Sequence, residues 1–278
     1  MGGIDLHTHT NRSDGTFAPS ELVRLASQRG LEVVAITDHD TTDGIDEASG
    51  AGLELGVDVV PGLELSAEHQ GTSVHILCYW MDPENEGLQA ELVRLRSERL
   101  LRGEAMVEKL RSLGYPVSFE RVREIAGNGN IVRPHVAQAL VEAGVVADEE
   151  EAFDRLIGDD GPAYVPKHAL APLDALALVR RAGGVCVLAH PGMWSAEAPV
   201  PEDLIEAMAE AGMTGLEADH SDHTPERREH YRGLAKRLGL VVTGGSDGHG
   251  TRYDPVRLGS VTTDPEQFRV LRALAASG

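Results

Sequence analysis

Short apolar or β-branched runs alternate with amphipathic stretches along most of this 278-residue chain, and a wholly helical stretch breaks the alternation once, in the middle. Repeated strand, helix, strand units bury their apolar faces by forming a largely parallel sheet with helices packed on it, so the pattern places the chain in the α/β class. A short apolar opening ends at Asp5 and Leu6, a helix follows from Ser20 with Pro19 in its first turn, and Glu32 to Thr37 is strand-like. Residues 46–55 read as a helix, and Val57 to Pro61 and Thr72 to Tyr79 as strands. Residues 86–113 give one long helix with Leu88, Leu92, Leu95, Leu101, Met106 and Leu110 as its apolar positions, followed by shorter helices at 118–126, 133–143 and 148–157. Alternation then resumes with helices at 172–182, 202–211, 225–238 and 265–276 and strands Gly184 to Ala189, Thr214 to Ala218 and Leu240 to Gly244. The expected organisation is a discontinuous barrel-like unit, residues 1–83 and 168–278, with residues 84–167 as a helical insertion or cap.

Composition narrows what such a fold does. The formal charge is −20 and no basic stripe is visible, which argues against a long duplex or other polyanion as partner. Bound divalent ions convert a cluster of carboxylates into an anion receptor, so small phosphorylated molecules remain compatible with this charge. No stretch approaches the roughly 20 apolar residues of a membrane span, and the N-terminus lacks the pattern of a signal peptide, so a cytoplasmic location is expected. Cys78 and Cys186 both lie in apolar, strand-like runs and read as small buried hydrophobes.

The residues that carry chemistry gather at the ends of these strands, where α/β folds place their sites. His7 and His9 follow the first strand, and alternation along an extended chain points residues i and i+2 to the same side. Asp14 stands in a glycine-containing turn, Asp38-His39-Asp40 ends the second strand, Glu64 follows Pro61-Gly62-Leu63, and His75 lies within a strand. His190 and the pair Asp247 and His249 directly follow later strands. Each alone has an ordinary explanation, a core histidine or a turn aspartate, but six histidines with three acids point jointly to cations. Imidazole and carboxylate ligands without thiolates suit manganese, iron or zinc, and nine ligands exceed what one ion takes, so several ions sharing a carboxylate are expected.

The order and wording of these motifs resemble the PHP (polymerase and histidinol phosphatase) family of phosphoesterases. The motifs are Asp5-Leu6-His7-Thr8-His9, Ser13-Asp14-Gly15, Ile36-Thr37-Asp38-His39-Asp40-Thr41, Pro61-Gly62-Leu63-Glu64, His75-Ile76-Leu77, Ala189-His190-Pro191 and Gly245-Ser246-Asp247-Gly248-His249. The resemblance implies a distorted seven-stranded (β/α) barrel and a centre of two to three divalent ions. It places His7, His9, Glu64 and Asp247 on the first ion, Glu64, His75 and His190 on the second, and Asp14, His39 and His249 on the third. Within the family, Asp14, the helical insertion and Arg133-Pro134-His135-Val136-Ala137 resemble the branch of nucleoside 3′,5′-bisphosphate phosphatases, which includes 5′→3′ exonucleases on short RNA. Tyr164-Val165-Pro166-Lys167 and His220-Ser221-Asp222-His223 resemble segments of the same branch, whereas Ala218-Asp219 and Gly248 depart from its usual wording.

The expected activity is therefore hydrolysis of nucleotide phosphate monoesters. A water held between two cations loses a proton near neutral pH and attacks phosphorus in line. Glu64, Asp247 and His220 form the expected catalytic set, with Glu64 fixing the spacing of the ions. Arg133 is the expected phosphate clamp, because a guanidinium matches phosphate bidentately, and Lys167 adds a point charge. His135, His220 and His223 are expected to bind a second phosphate or protonate the leaving oxygen. Asp38 and Asp40 are expected to orient His39. The alternatives are a histidinol-phosphate type of phosphatase, an amidohydrolase-like metal hydrolase on a similar barrel, and a PHP-like binding module without catalysis. The last should lack ligands, yet all nine positions are filled.

Overall fold

The structure is a computed structural model and describes residues 2–127, 129–166, 169–192, 199–252 and 255–277. Seven strands lie in one sheet in chain order: β1 (Gly3–Asp5), β2 (Leu31–Ile36), β3 (Asp58–His69), β4 (Thr72–Tyr79), β5 (Val185–Leu188), β6 (Gly215–His220) and β7 (Val241–Gly245). Neighbours pair in parallel except around β4, which runs antiparallel to both β3 and β5. The sheet curls until Thr8 and Gly248 form an isolated bridge beyond β1 and β7, giving a nearly closed barrel. Side chains such as Ile4, Leu6, Val33, Val60, Leu77, Tyr79 and Val187 fill the interior.

Helices cover the outside. They are α1 (Pro19–Gln28), α2 (Ile45–Leu55), α3 (Glu86–Ser112), α4 (Phe119–Ala126), α5 (Arg133–Glu142), α6 (Glu149–Ala152), α7 (Pro172–Arg181), α8 (Glu202–Glu210), α9 (Pro225–Leu238) and α10 (Pro265–Ala275). Their ends follow local chemistry: Pro19 opens α1, the Thr224 hydroxyl accepts from Arg227 N at the start of α9, and Gly56 closes α2 in a left-handed turn. The first half of α3 contributes Leu88, Leu92 and Leu95 to the barrel's outer core, while Met106, Val107 and Leu110 from its second half join a separate apolar cluster with α4, α5 and α6. The helical run thus has a core of its own, and α3 is the beam it shares with the barrel. No helix among the described residues is long and apolar enough to cross a membrane.

The structure differs from the sequence reading in four places. β3 does not stop at Pro61 but continues to His69, which puts Glu64 inside the strand. Proline and glycine look like a strand end, yet Gly62 is needed for continuation, because a Cβ there would lie 2.7 Å from the Cys78 carbonyl oxygen on β4. β6 reaches His220 rather than ending at Ala218. Phe153–Ile157 forms a π-helical turn instead of extending an α-helix. Leu101 is 59% exposed and does not belong to the apolar face of α3.

Candidate metal centre

At the mouth of the barrel one carboxylate is ringed by five imidazoles. Glu64 Oε2 lies 3.4 Å from His7 Nε2, 3.2 Å from His9 Nε2 and 3.1 Å from His39 Nδ1, and its Oε1 lies 2.8 Å from His75 Nδ1 and 3.0 Å from His190 Nε2. His7 and His9 leave β1, His39 leaves β2, His75 stands on β4, and His190 follows β5. From the far side, beyond β7, Asp247 Oδ1 approaches His9 Nε2 at 3.1 Å and His7 Nε2 at 3.4 Å. Asp14 Oδ1 faces His249 Nε2 at 3.3 Å and His9 Nδ1 at 3.8 Å.

Many of these atoms lack a hydrogen-bond partner although they are buried: His7 Nε2, both ring nitrogens of His9, Asp14 Oδ1, His39 Nδ1, Glu64 Oε2 and His220 Nε2. A buried polar atom left unpaired costs about 1–3 kcal/mol, so such a concentration makes sense when something else satisfies it. Ligand atoms within 4.8 Å of one another fall into four groups: His9, Asp14, His39 and His249; His7, His220 and Asp247; His7, Glu64 and His190; and His39, Glu64 and His75. These are nitrogen and oxygen donors without sulfur, and they fit small divalent cations. The geometry gives His9 and His39 to the group around Asp14 and brings His220 up to His7 and Asp247. The division implied by the family resemblance puts His9 with Glu64 and Asp247.

The electrostatics agree with a site built for positive charge. Burial pushes the carboxyls of Glu64, Asp14 and Asp247 up, but the surrounding histidines outweigh it and hold all three well below the usual range. Burial disfavours the His9 imidazolium, yet Asp247 and Glu64 prevail and lift its pKa to about 10. His7 is raised well above its ordinary value against burial by Glu217, Asp247 and Glu64. His39 goes the other way, down to about 3, because burial dominates over Glu64 and Asp14. Cations bound at these donors would compete with the protons that the carboxylates favour on His7 and His9.

A ring of buried groups fixes the ligands. Glu217, inside β6, takes His7 Nδ1 on both oxygens at 3.1 Å and accepts from His190 N at 2.9 Å. Asp5 accepts from His7 N and Ser246 N on one oxygen and from Gly259 N on the other, tying β1 to the loop that carries Asp247. Gly245 lets that loop close, since a Cβ there would meet His7 Cβ at 2.3 Å. Asp40, His190 and Asp247 adopt left-handed backbone angles, φ +50°, +22° and +49°. Such conformations cost of order 1–3 kcal/mol each and persist where surrounding bonds impose them.

Residues 5–158 match the model of the PHP domain. The chain is 33% identical over 250 residues to a 3′,5′-nucleoside bisphosphate phosphatase of Chromobacterium violaceum, covering 90% of this chain and 88% of the relative. It is 32% identical over 245 residues to a 5′-3′ exoribonuclease of Haemophilus influenzae, covering 88% and 89%. The chain belongs to the PHP family. A crystal structure described as a metal-dependent phosphoesterase of Bifidobacterium adolescentis superposes with a TM-score of 0.92 at 38% identity, covering 98% of this chain and 96% of that one. The fold is accordingly the PHP barrel, and the protein is a metal-dependent hydrolase of the phosphoesterase kind.

The remaining expected residues of this PHP protein are placed unequally. His220 Nδ1 accepts from Asp222 N at 3.1 Å, which assigns the ring proton to Nε2, 3.4 Å from Asp247 Oδ2. His135 is buried, accepts from Val132 N through Nδ1 at 3.3 Å, and burial draws its pKa down to about 4. Arg133 heads α5 with its guanidinium paired to Asp159 at 2.8 Å and over the Phe153 ring. Lys167 lies outside the described residues. Two expectations need correction. His223 is not turned to a substrate: its Nδ1 donates to Ala218 O at 2.9 Å and its Nε2 accepts from Gly192 N at 3.2 Å, so both nitrogens are spent on backbone. Asp38 and Asp40 do not grip the His39 ring either. Asp38 takes Thr10 N, Thr10 Oγ1 and Ser13 Oγ at 2.6–2.8 Å, holding the turn that precedes Asp14. Asp40 takes Ser66 N and the Arg99 guanidinium, both at 2.7 Å. The helical run reaches the centre a second time through Asn130, whose Nδ2 donates to His39 O at 2.7 Å. Sequence reasoning missed Glu217, Arg99 and Asn130. An acid in the middle of an otherwise apolar strand was the available sign for Glu217, and the other two carried none.

Proposed function

We propose that this PHP protein is a nucleotide phosphatase that takes the 3′-phosphate from nucleoside 3′,5′-bisphosphates, and that the same centre shortens short RNA from its 5′ end. The observation that carries the chemistry is Glu64, a single carboxylate encircled by five imidazoles, of which His7, His9 and His39 turn buried ring nitrogens without hydrogen-bond partners toward it. Two to three ions of manganese, iron or zinc suit this donor set, with His7, His9, Asp14, His39, Glu64, His75, His190, Asp247 and His249 as ligands. Such ions, when bound, neutralise charge on the phosphoryl oxygens and lower the pKa of a nearby water. The similarity to the Chromobacterium phosphatase, nearly end to end in both chains, supports the substrate class.

The chain's own residues divide the remaining work. Glu64 and Asp247 set the positions between which the phosphoryl group is held. His220 presents its Nε2–H beside Asp247, where it donates a proton to the leaving oxygen. Arg133 exchanges Asp159 for a substrate phosphate, a swap that costs little because the paired guanidinium is already ordered. His135, held neutral by burial, offers its remaining ring nitrogen to the substrate, and Lys167 adds a charge from the segment after Pro166. A chain of charge −20 favours a small phosphorylated molecule over a long duplex.

The test is phosphate release from adenosine 3′,5′-bisphosphate, a 5′-phosphorylated RNA dinucleotide and histidinol phosphate, each with added manganese and each repeated after chelation. Preference for the bisphosphate, lost on chelation and restored by metal, supports the reading. A strong preference for histidinol phosphate, or full activity of the chelated protein, overturns it.

A further inference from the structure

The turn that carries Asp14 and the strand end that carries His39 are both held by bonds that lead into the helical run. Asn130, 2% exposed in the connection between α4 and α5, donates from Nδ2 to His39 O at 2.7 Å and to Asp40 O at 3.3 Å. Its own backbone N donates to Arg12 O at 3.3 Å. Beside it, Gly129 passes so close to the Asp14 turn that a Cβ there would lie 2.6 Å from Ser13 O. On the other flank Arg252, which follows β7, donates from Nε to Asp14 O at 2.6 Å and pairs with Glu149 at the start of α6 at 2.8 Å.

Asp14 and His39 belong to one ligand group, in which they, His9 and His249 bring donor atoms within 4.8 Å of one another. The remaining ligands are fixed from within the barrel. Glu217 holds His7 and His190, Asp5 holds the loop that carries Asp247, and Glu64 and His75 stand on the paired strands β3 and β4. His39 shares one isolated bridge with Glu64, and Asp14 lies in a turn, so neither has a full ladder beneath it. Where no ladder fixes the backbone, the bonds to its carbonyls decide where the ligand side chain points.

We propose that Asn130 and Arg252 are positioning residues for a cation at Asp14, His39 and His249, and that through them the helical run and that cation are energetically coupled. The proposal rests on the reading that this centre binds divalent ions. Coupling of this kind is reciprocal: the docked helical run strengthens the hold on the cation, and the cation strengthens the docking by the same factor. The run carries Arg133 and His135, so the supply of metal and the posture of residues proposed to meet the substrate change together.

The chelator-stripped full chain, titrated with manganese and followed by metal content and by amide exchange, tests both directions. Asn130→Ala is expected to weaken one ion by about tenfold or more, so that one ion per chain is missing at the manganese level that just saturates the wild type, and to leave the other affinities within about threefold. Glu149→Ala cuts the second tie at its exposed end and keeps every ligand and the Arg252 charge. It should weaken the same ion by about two- to fivefold, and it serves where Asn130→Ala melts early. In the wild type, manganese should slow exchange in α4 and α5, and in Asn130→Ala this slowing should shrink. Wild-type affinities in both variants, an equal loss at every position, or wild-type exchange in α4 and α5 indifferent to manganese overturns the coupling. A wild-type chain that takes up no manganese overturns the metal reading and the coupling with it. If ions bind and α4 and α5 respond while no phosphate ester is hydrolysed, the coupling stands and the phosphatase reading alone fails.

Discussion

Glu217 and His7 are both wholly buried, and the carboxylate takes His7 Nδ1 between its two oxygens, leaving Nε2 as the nitrogen that faces Glu64 and Asp247. The bond sets the ring's tautomer and plane, and an acidic partner makes the free nitrogen a better electron donor. The same carboxylate pins the backbone of His190, so one residue on β6 orders ligands from two other strands.

Glu217→Gln should therefore weaken cation binding by about 10- to 100-fold while leaving the fold intact. Manganese titration of the chelator-stripped protein reads this directly, and excess manganese should restore much of the lost activity. Unchanged affinity would mean that Glu217 has a purely structural role.

His220 carries its proton toward Asp247. His220→Gln should lower kcat on a nucleotide substrate by about 10²- to 10⁴-fold, the usual contribution of a positioned acid. A nitrophenyl phosphate, whose leaving group needs no proton, should be affected far less. Parallel losses on both substrates would exclude the acid role.

His223 gives a signed pH dependence. Burial lowers its pKa from 6.5 to about 4 in the folded protein, so the unfolded chain binds the proton more readily. Its contribution is complete above pH 6.5 and is lost as pH falls toward 4, by up to about 1.4 kcal/mol per pH unit. Urea unfolding followed from pH 7.5 to 4.5 should show this slope, and His223→Gln should flatten it. An identical slope in the variant would assign the effect to other groups.

Arg99 neutralises Asp40, whose side chain is fully buried beside His39. Arg99→Leu strands that charge and should cost about 3–5 kcal/mol of stability by denaturant titration. Adding Asp40→Asn should recover a large part. Additive losses in the double variant would show that the two residues are not coupled.

The α/β class and the ligand set were legible because both depend on local pattern: β-branched runs make strands, and imidazoles or acids placed just after them share one rim. What could not be read depends on contacts distant in sequence. Pro61-Gly62 looks like an ending until Cys78 O on β4 explains why a glycine must pass there. Arg99 looks like part of the solvated face of a long helix, since periodicity does not tell which side of α3 meets the barrel. His223 looks reactive beside His220, and only its bonds to Ala218 and Gly192 show it to be a brace.

Every neighbouring pair of strands is zipped by a ladder except the pair that completes the circle, where the described residues show one bridge, Thr8 to Gly248, and His9 N donating to Gly248 O at 3.0 Å. His7 and His9 form one lip of this gap, and Asp247 and His249 the other. A cation held by residues of both lips, as proposed above, would rivet the seam that hydrogen bonds leave nearly open. Stripping the ions should let the barrel breathe there first, with amide exchange quickening in β1 and β7 ahead of the rest. Catalytic competence and the mechanical closure of the ring would then be lost together.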